Sequence, residues 1–427
     1  MRVQSFSWAG AVTTAGAIRT WAAGSEQDVA EPVNEIGQAV VGERDAALMR
    51  LTARFDATEQ MPGSLRVDPE EIDAALEAIE PALRDAMEVA AANIRTVAEA
   101  QVSEELSAIE LPQGQTVQMR EVPVAAVGVY APGGRATYPS SVLMCAIPAR
   151  VAGVERVALA SPPGPDGRLT EPVLAAAALS GVDEVYSVGG AQAVFAFAYG
   201  TETVDPVDVV VGPGNVWVQE AKRQVIGLVG IDSYAGPSEL MVIAGHDTDP
   251  EWAALDLCSQ AEHGSDGRLV AVAVEEHVLE SVAAAVARTA TERPEVADAP
   301  LALVQVPDLS DAINLANAFA PEHLELMTAD TAMLAERVVT AGCVFVGRYG
   351  ATAFGDYAAG SNHVLPTSRT GRFAGPLGPG TFRRKIATVD VPEAAATKLA
   401  PHVKVLAAAE GFPVHGESAM IRREKGR

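Results

Sequence analysis

From Pro112 onward the chain alternates short β-branched runs with Ala-rich stretches long enough for helices, and this alternation restricts the fold more than any other feature. The runs are residues 122–129, 156–160, 184–188 and 208–211, then 240–243, 269–274, 301–306 and 343–346. Most are followed by a Gly- or Pro-containing turn and a helix candidate, which is the pattern of βαβ units around a parallel sheet. Hydrophobic residues make up 48% of the chain but aromatics only 5%, so the interior is built from Ala, Val, Leu and Ile. Small aliphatic side chains suit parallel strands covered on both faces by helices. With 427 residues, more than one core is expected, and two consecutive Rossmann-like halves are the economical reading.

Before this region, residues 26–102 read as helical, with Val40, Ala46, Leu48, Leu51 and Phe55 recurring at three- and four-residue steps. Asp68-Pro69-Glu70-Glu71 predicts a helix start: Asp68 caps, Pro69 sits in the first turn and the acids favour its positive end. The opening residues, from Arg2 through the mildly apolar stretch Trp8–Ile18, only loosely resemble a signal peptide, because Thr13, Thr14 and Arg19 weaken the apolar core. Past Gly371, Gly375-Pro-Leu-Gly-Pro-Gly380 reads as a linker and residues 393–409 as an amphipathic helix. A tail of about fifty residues buries too little to stand alone, so it must dock on the body or on another subunit.

A net charge of −25, from 56 acidic against 31 basic residues, repels nucleic acid and anionic membranes. No uncharged apolar run is long enough to cross a bilayer. Cys145, Cys258 and Cys343 are widely spaced among apolar neighbours, which points to free thiols in the reducing cytoplasm.

Two strand-to-helix turns have the composition of phosphate-binding loops: Gly189-Gly190-Ala191-Gln192 and Gly212-Pro-Gly-Asn215. Glycine lets backbone N–H groups approach an anion at the positive end of a helix, although such pairs also serve as tight connections. A third loop, Gly128-Val-Tyr130-Ala-Pro-Gly-Gly134, adds an aromatic that could line a nucleotide pocket. Among seven histidines, His263 lies three residues after Gln260 in Ser259-Gln-Ala-Glu-His263, a spacing that shares one helix face. His415 is in the tail, and Asp356 precedes Asn362-His363. An amide oxygen, two imidazoles and a carboxylate could together hold zinc with positions open for substrate. Glu322-His323, after Pro321, places an acid beside an imidazole that titrates near neutrality and can accept an alcohol proton. The same dipeptide also reads as an ordinary helix start. All of these segments are expected at the carboxyl ends of strands, where α/β sheets bind ligands.

Taken together, these residues resemble histidinol dehydrogenase. The carriers are Gly128-Val-Tyr-Ala-Pro-Gly-Gly, Tyr138-Pro-Ser-Ser-Val-Leu-Met, Gly189-Gly-Ala-Gln-Ala, Val211-Gly-Pro-Gly-Asn, Ala235-Gly-Pro-Ser-Glu, Ser259-Gln-Ala-Glu-His, Ala320-Pro-Glu-His-Leu and Gly355-Asp-Tyr-Ala-Ala-Gly-Ser-Asn-His. The resemblance implies an α/β fold of two incomplete Rossmann-like domains, with helices before them and a small helical tail exchanged between the subunits of a homodimer. The implied division is a segment 1–24, a first domain from 25–128 with 239–376, a second, NAD-binding domain at 129–238, and the tail 377–427.

It further implies zinc ligation by Gln260, His263, Asp356 and the tail's His415, which thereby also meet the substrate. NAD contacts would come from Tyr130, Gln192 and Asn215, and substrate contacts from Ser238, His323, His363 and Glu410. Glu322 and His323 would be the catalytic pair in a two-step oxidation of histidinol through the aldehyde to histidine. Two other functions remain compatible with these residues: oxidation of another small alcohol, such as a sulfonated propanediol, and a non-catalytic NAD- or metal-binding scaffold. His363 and Glu410 suit a cationic, imidazole-bearing substrate.

Overall fold

The computed structural model describes residues 1–23, 28–56, 63–102, 107–133, 137–296, 298–329 and 331–424. Gly134 of the third loop and residues 24–27, where the opening segment was divided from the first domain, lie outside them. Contacts divide the chain into two units, Met1–Gln101 with Ala125–Phe382, and Val102–Val124 with Arg383–Arg427.

In chain order the elements begin with β1 (Arg2–Phe6), α1 (Ala11–Ala22), α2 (Ala30–Glu43), α3 (Asp45–Phe55), α4 (Pro69–Ala78) and α5 (Pro81–Glu99), followed by β2 (Ser107–Glu110) and β3 (Thr116–Pro123). Next come β4 (Ala126–Tyr130), α6 (Pro139–Val151), β5 (Arg156–Ser161), α7 (Glu171–Ser180), β6 (Glu184–Ser187), α8 (Gly190–Tyr199), β7 (Val209–Val211), α9 (Val216–Gln224) and β8 (Gly230–Ile231). After these follow β9 (Glu239–Ala244), α10 (Pro250–Ala261), β10 (Arg268–Ala273), α11 (Glu276–Glu292), β11 (Pro300–Gln305), α12 (Leu309–Phe319), β12 (His323–Met327), α13 (Thr331–Ala335), β13 (Cys343–Val346) and α14 (Thr352–Tyr357). The last are β14 (Arg383–Asp390), α15 (Glu393–Ala409) and α16 (Pro413–Glu424).

The first unit contains two parallel sheets, ordered β1-β11-β10-β9-β12-β13 and β6-β5-β4-β7-β8. In each, three strands run outward in chain order before the chain returns to the other side of the first, which is the doubly wound arrangement. Along β9, Leu240 and Val242 enter the core beneath α10 and α11, while Met241 and Ile243 enter the core beneath α1 and α12. Strands that feed two cores at period two read as continuous apolar runs, as the sequence shows.

Three details differ from the reading of the sequence. Residues Arg2–Phe6, to which the sequence reading gave no element, are the edge strand of the larger sheet, in register from Arg2 opposite Pro300 to Phe6 opposite Val304. The expected strand at 122–129 is two strands, because β3 stops at Pro123 and β4 starts at Ala126. The helix expected to carry both Gln260 and His263 ends at Ala261, so His263 lies in the turn beyond it. The Asp68 cap is present, its carboxylate accepting from the Glu70 N–H at 3.0 Å.

The second unit holds a three-stranded antiparallel sheet, β14-β3-β2, and the packed helices α15 and α16. Helix α15 coincides with the amphipathic stretch at 393–409. Val405, Leu406, Phe412 and Val414 are exposed on these helices. None of the described helices is long and apolar enough to cross a membrane.

Candidate active site

Within the first unit, the two sheets present opposite ends to the candidate residues. Tyr130 ends β4, and the Gly189-Gly190 and Gly212–Asn215 turns follow β6 and β7, so this group lies at carboxyl ends as expected. The other group lies at amino ends: Ser238 precedes β9, His323 is the first residue of β12, and Gln260 lies in the last turn of α10 before β10. The expectation that every segment sits at a carboxyl end is therefore corrected for the larger sheet. Pro321 opens no helix there. Ala320 takes a left-handed conformation at the end of α12 (φ +51°), and the chain turns directly into β12.

Glu322 and His323 are both buried, and the backbone of Glu239 holds both. The Glu239 N–H donates to Glu322 Oε2 at 2.9 Å, and His323 Nδ1 donates to the Glu239 carbonyl at 3.2 Å. A carbonyl can only accept, so Nδ1 carries hydrogen and the lone pair of a neutral ring falls on Nε2. Nε2 is buried without a hydrogen-bond partner, 3.5 Å from Asp356 Oδ1. Burial opposes a charge on this ring, but the Glu322 carboxylate and Asp356 outweigh it and hold His323 well above the ordinary histidine range. The Glu239 side chain, fully buried, pairs with Arg19 and Arg268, each at 2.9 Å, which fixes the strand end supporting the pair.

Asp356, on the short helix α14, is the electrostatic centre of the group. Burial works against its charge, yet the close approach and charge of His323, with the charges of His363 and His263, keep its carboxyl below the usual range. His363 Nδ1 donates to the Asp356 carbonyl at 2.9 Å, and its Nε2 lies 3.3 Å from Ser141 Oγ. Burial lowers the pKa of His363, so its neutral ring offers Nε2 as an acceptor. Gln260 is buried, with Nε2 3.5 Å from Asp356 Oδ2 and Oε1 without a partner. Among the described residues no group of three or more His, Cys, Asp and Glu side chains is gathered tightly enough to hold a metal alone. The donor set nevertheless fits a cation, because an orphaned amide oxygen beside a carboxylate is an acceptor pair that a cation would satisfy. Glu410 and His415 belong to the second unit, where both are exposed.

At the smaller sheet, the Tyr130 hydroxyl accepts from the Gly190 N–H at 3.1 Å, and burial pushes its pKa up to about 12. Gln192 is buried and its Nε2 has no partner, as is true of Ser187 Oγ at the end of β6. Gly212 has φ +120°, and a side chain there would run into the Tyr130 carbonyl, so the turn is drawn tightly against β4. Asn215 caps α9, its Oδ1 accepting from the Trp217 and Val218 N–H groups at 3.0 and 3.2 Å.

Ser141, in Tyr138-Pro-Ser-Ser, joins this group without any signal at its own position. Its contact with His363 spans more than two hundred residues, and only the meeting of α6 with the segment after α14 brings them together. Ser238 is half-buried at the mouth of β9.

The family model for histidinol dehydrogenase matches residues 20–423. The histidinol dehydrogenase of Rhodospirillum rubrum is 46% identical over 413 residues, covering 94% of each chain. That of Pseudomonas fluorescens is 44% identical over 410 residues, covering 94% of this chain and 92% of its own. The crystal structure of histidinol dehydrogenase from Elizabethkingia anophelis superposes with a TM-score of 0.91 at 30% identity, covering 100% of this chain and 98% of that one. With agreement of this extent in sequence and fold, the chain belongs to the histidinol dehydrogenase family.

Proposed function

We propose that this oxidoreductase converts L-histidinol through L-histidinal to L-histidine, the closing steps of histidine biosynthesis, with NAD as oxidant and zinc at the amino ends of the larger sheet. The observation that supports this reading most is the convergence on Asp356 of His323 Nε2 and the Gln260 amide, each with a buried polar atom lacking a partner. Gln260, His263 and Asp356 would hold the metal, with His415 from the tail. Bound there, zinc would orient the amino alcohol and neutralise the carboxylate that otherwise keeps a proton on His323.

His323 is anchored through Nδ1, so Nε2 is the atom that receives the hydroxyl proton in each oxidation. NAD bound here would supply a hydride acceptor, one molecule for each of the two oxidations. Between them Glu322 acts as base. Its Oε2 is occupied by the Glu239 N–H, leaving Oε1 to accept the proton of the water that adds to the aldehyde. His363, neutral and an acceptor at Nε2, suits an imidazolium N–H of the substrate, and Ser238 lies beside the pair. Tyr130, Gln192 and Asn215 would frame NAD at the Gly190 and Gly212 turns.

The tail's exposed apolar side chains, Val405, Leu406, Phe412 and Val414, suit packing against a second copy, where Glu410 and His415 would complete the partner's site. The reading is tested by metal analysis of purified protein with NADH counted per histidinol consumed. Stoichiometric zinc and two NADH support it. A single NADH, or preference for a sulfonated propanediol over histidinol, would overturn the substrate assignment.

A further inference from the structure

Behind the candidate site lies a second acidic group to which nothing above assigns a task. Glu325 is fully buried in the middle of β12, two residues after His323 and on the same face of the strand. Its Oε1 accepts from both the N–H and the hydroxyl of Thr352, at 2.7 and 2.5 Å, and Thr352 is the first residue of α14. Its Oε2 is buried and has no ordinary donor. The group facing Glu325 from α10 is Asp256, another carboxyl.

A fully buried carboxyl facing a half-buried one resists a second charge, so the pair holds a proton between them at neutrality. Asp256 lies one turn before Gln260 on α10, and Thr352 lies one turn before Asp356 on α14. Glu325 therefore meets two helices, each one turn behind the residue it presents to the site, and itself lies two residues behind His323.

We propose that Glu325 is a positioning residue: through a proton shared with Asp256 and the two hydrogen bonds from Thr352, it fixes α10 and α14 against β12 and so sets the spacing of Gln260, Asp356 and His323. The inference rests on the reading that Gln260 and Asp356 bind the metal. A loose tie would let these two donors drift apart while leaving both present. The groups facing Glu325 are Asp256 from α10, Thr352 from α14 and His323 from its own strand. Burial first, then the Asp256 charge, pushes Glu325 up to about 8, and burial pushes Asp256 up to about 6. The shared proton is thus retained at neutral pH and lost above about 8, where two facing carboxylates repel.

The test is zinc affinity by competition with a chelator, for wild type, Glu325→Gln and Glu325→Ala, at about pH 7 and about pH 9. Glutamine can accept from Thr352 and donate to Asp256 at either pH. Glu325→Ala should weaken zinc by about tenfold or more, the usual effect of losing a group that orients a ligand. Glu325→Gln should hold zinc near the wild-type level at the lower pH and better than wild type at the higher one. A folded Glu325→Ala with wild-type affinity, or a Glu325→Gln as weak as Glu325→Ala, would overturn the proposal. If Glu325→Ala does not fold, the alkaline comparison decides: a wild type that keeps zinc as well as Glu325→Gln overturns it. Wild-type protein that takes up no zinc at either pH would remove the metal reading and this inference with it.

Discussion

Lys222 and Asp232 form a buried ion pair that closes around a single glycine. Lys222 Nζ donates to the Gly212 carbonyl at 3.0 Å, and Asp232 Oδ2 accepts from the Gly212 N–H at 2.8 Å. Replacing Lys222 with Met leaves the Asp232 charge buried and alone, which should cost about 3–5 kcal/mol of stability. Denaturant unfolding of Lys222→Met, with Lys222→Met/Asp232→Asn as partial rescue, checks this. If both unfold like wild type, the pair has no such role.

Gly212 itself admits no side chain. With φ +120° and the Tyr130 carbonyl where a Cβ would sit, Gly212→Ala must displace the turn from β4. If the turn frames NAD, the KM for NAD should rise more than that for histidinol, and steady-state kinetics with each varied in turn would show it.

Asp56 gives a pH signature in stability. Burial pushes its carboxyl up to about 6, against an opposing hydrogen bond from the Gly189 backbone. A carboxyl raised in the folded state leaves stability intact below the ordinary aspartate range and erodes it as pH climbs through about 6. Asp56→Asn should therefore gain in Tm relative to wild type between about pH 4 and about pH 7, and an unchanging difference would refute the assignment.

Gln260→Ala separates metal binding from folding. Its Oε1 is a buried acceptor with no partner, so truncation removes an unsatisfied atom along with a few packing contacts. The metal-free variant should melt close to metal-free wild type while retaining far less zinc, as read by metal analysis after dialysis.

Glu322→Gln should uncouple the two oxidations. The amide oxygen can still accept from the Glu239 N–H, but the side chain no longer takes a proton from water. Oxidation of added histidinal should fall by about a hundredfold or more while histidinol oxidation falls less, and NADH per histidinol should drop toward one as aldehyde escapes.

The parallel halves were open to reading from residues alone because each strand is local and apolar. The stretch at 156–160 became β5, 240–243 lies within β9, and 343–346 is β13 itself. What escaped was decided at a distance. Arg2–Phe6 becomes a strand by pairing with Pro300–Gln305, and β3, with no buried residue, finds β14 only after some 260 residues of intervening chain. The Glu322-His323 dipeptide showed its chemistry but not its setting. The turn at Ala320 leads directly into a strand, where the residues had allowed either a helix or a turn, and so moves the pair to the opposite end of the sheet. Ser141, Asp256 and Glu325 carry no signal at their own positions, since each acquires its neighbour through helix placement.

The edge position of β1 bears on how the protein is made. Strand β1 has as its partner a strand synthesised nearly three hundred residues later, so during translation its hydrogen-bonding groups and the apolar face of α1 wait in solvent. Completion of the larger sheet is thus a late event, and nascent chains arrested before β11 should engage chaperones through this amino-terminal strand and helix.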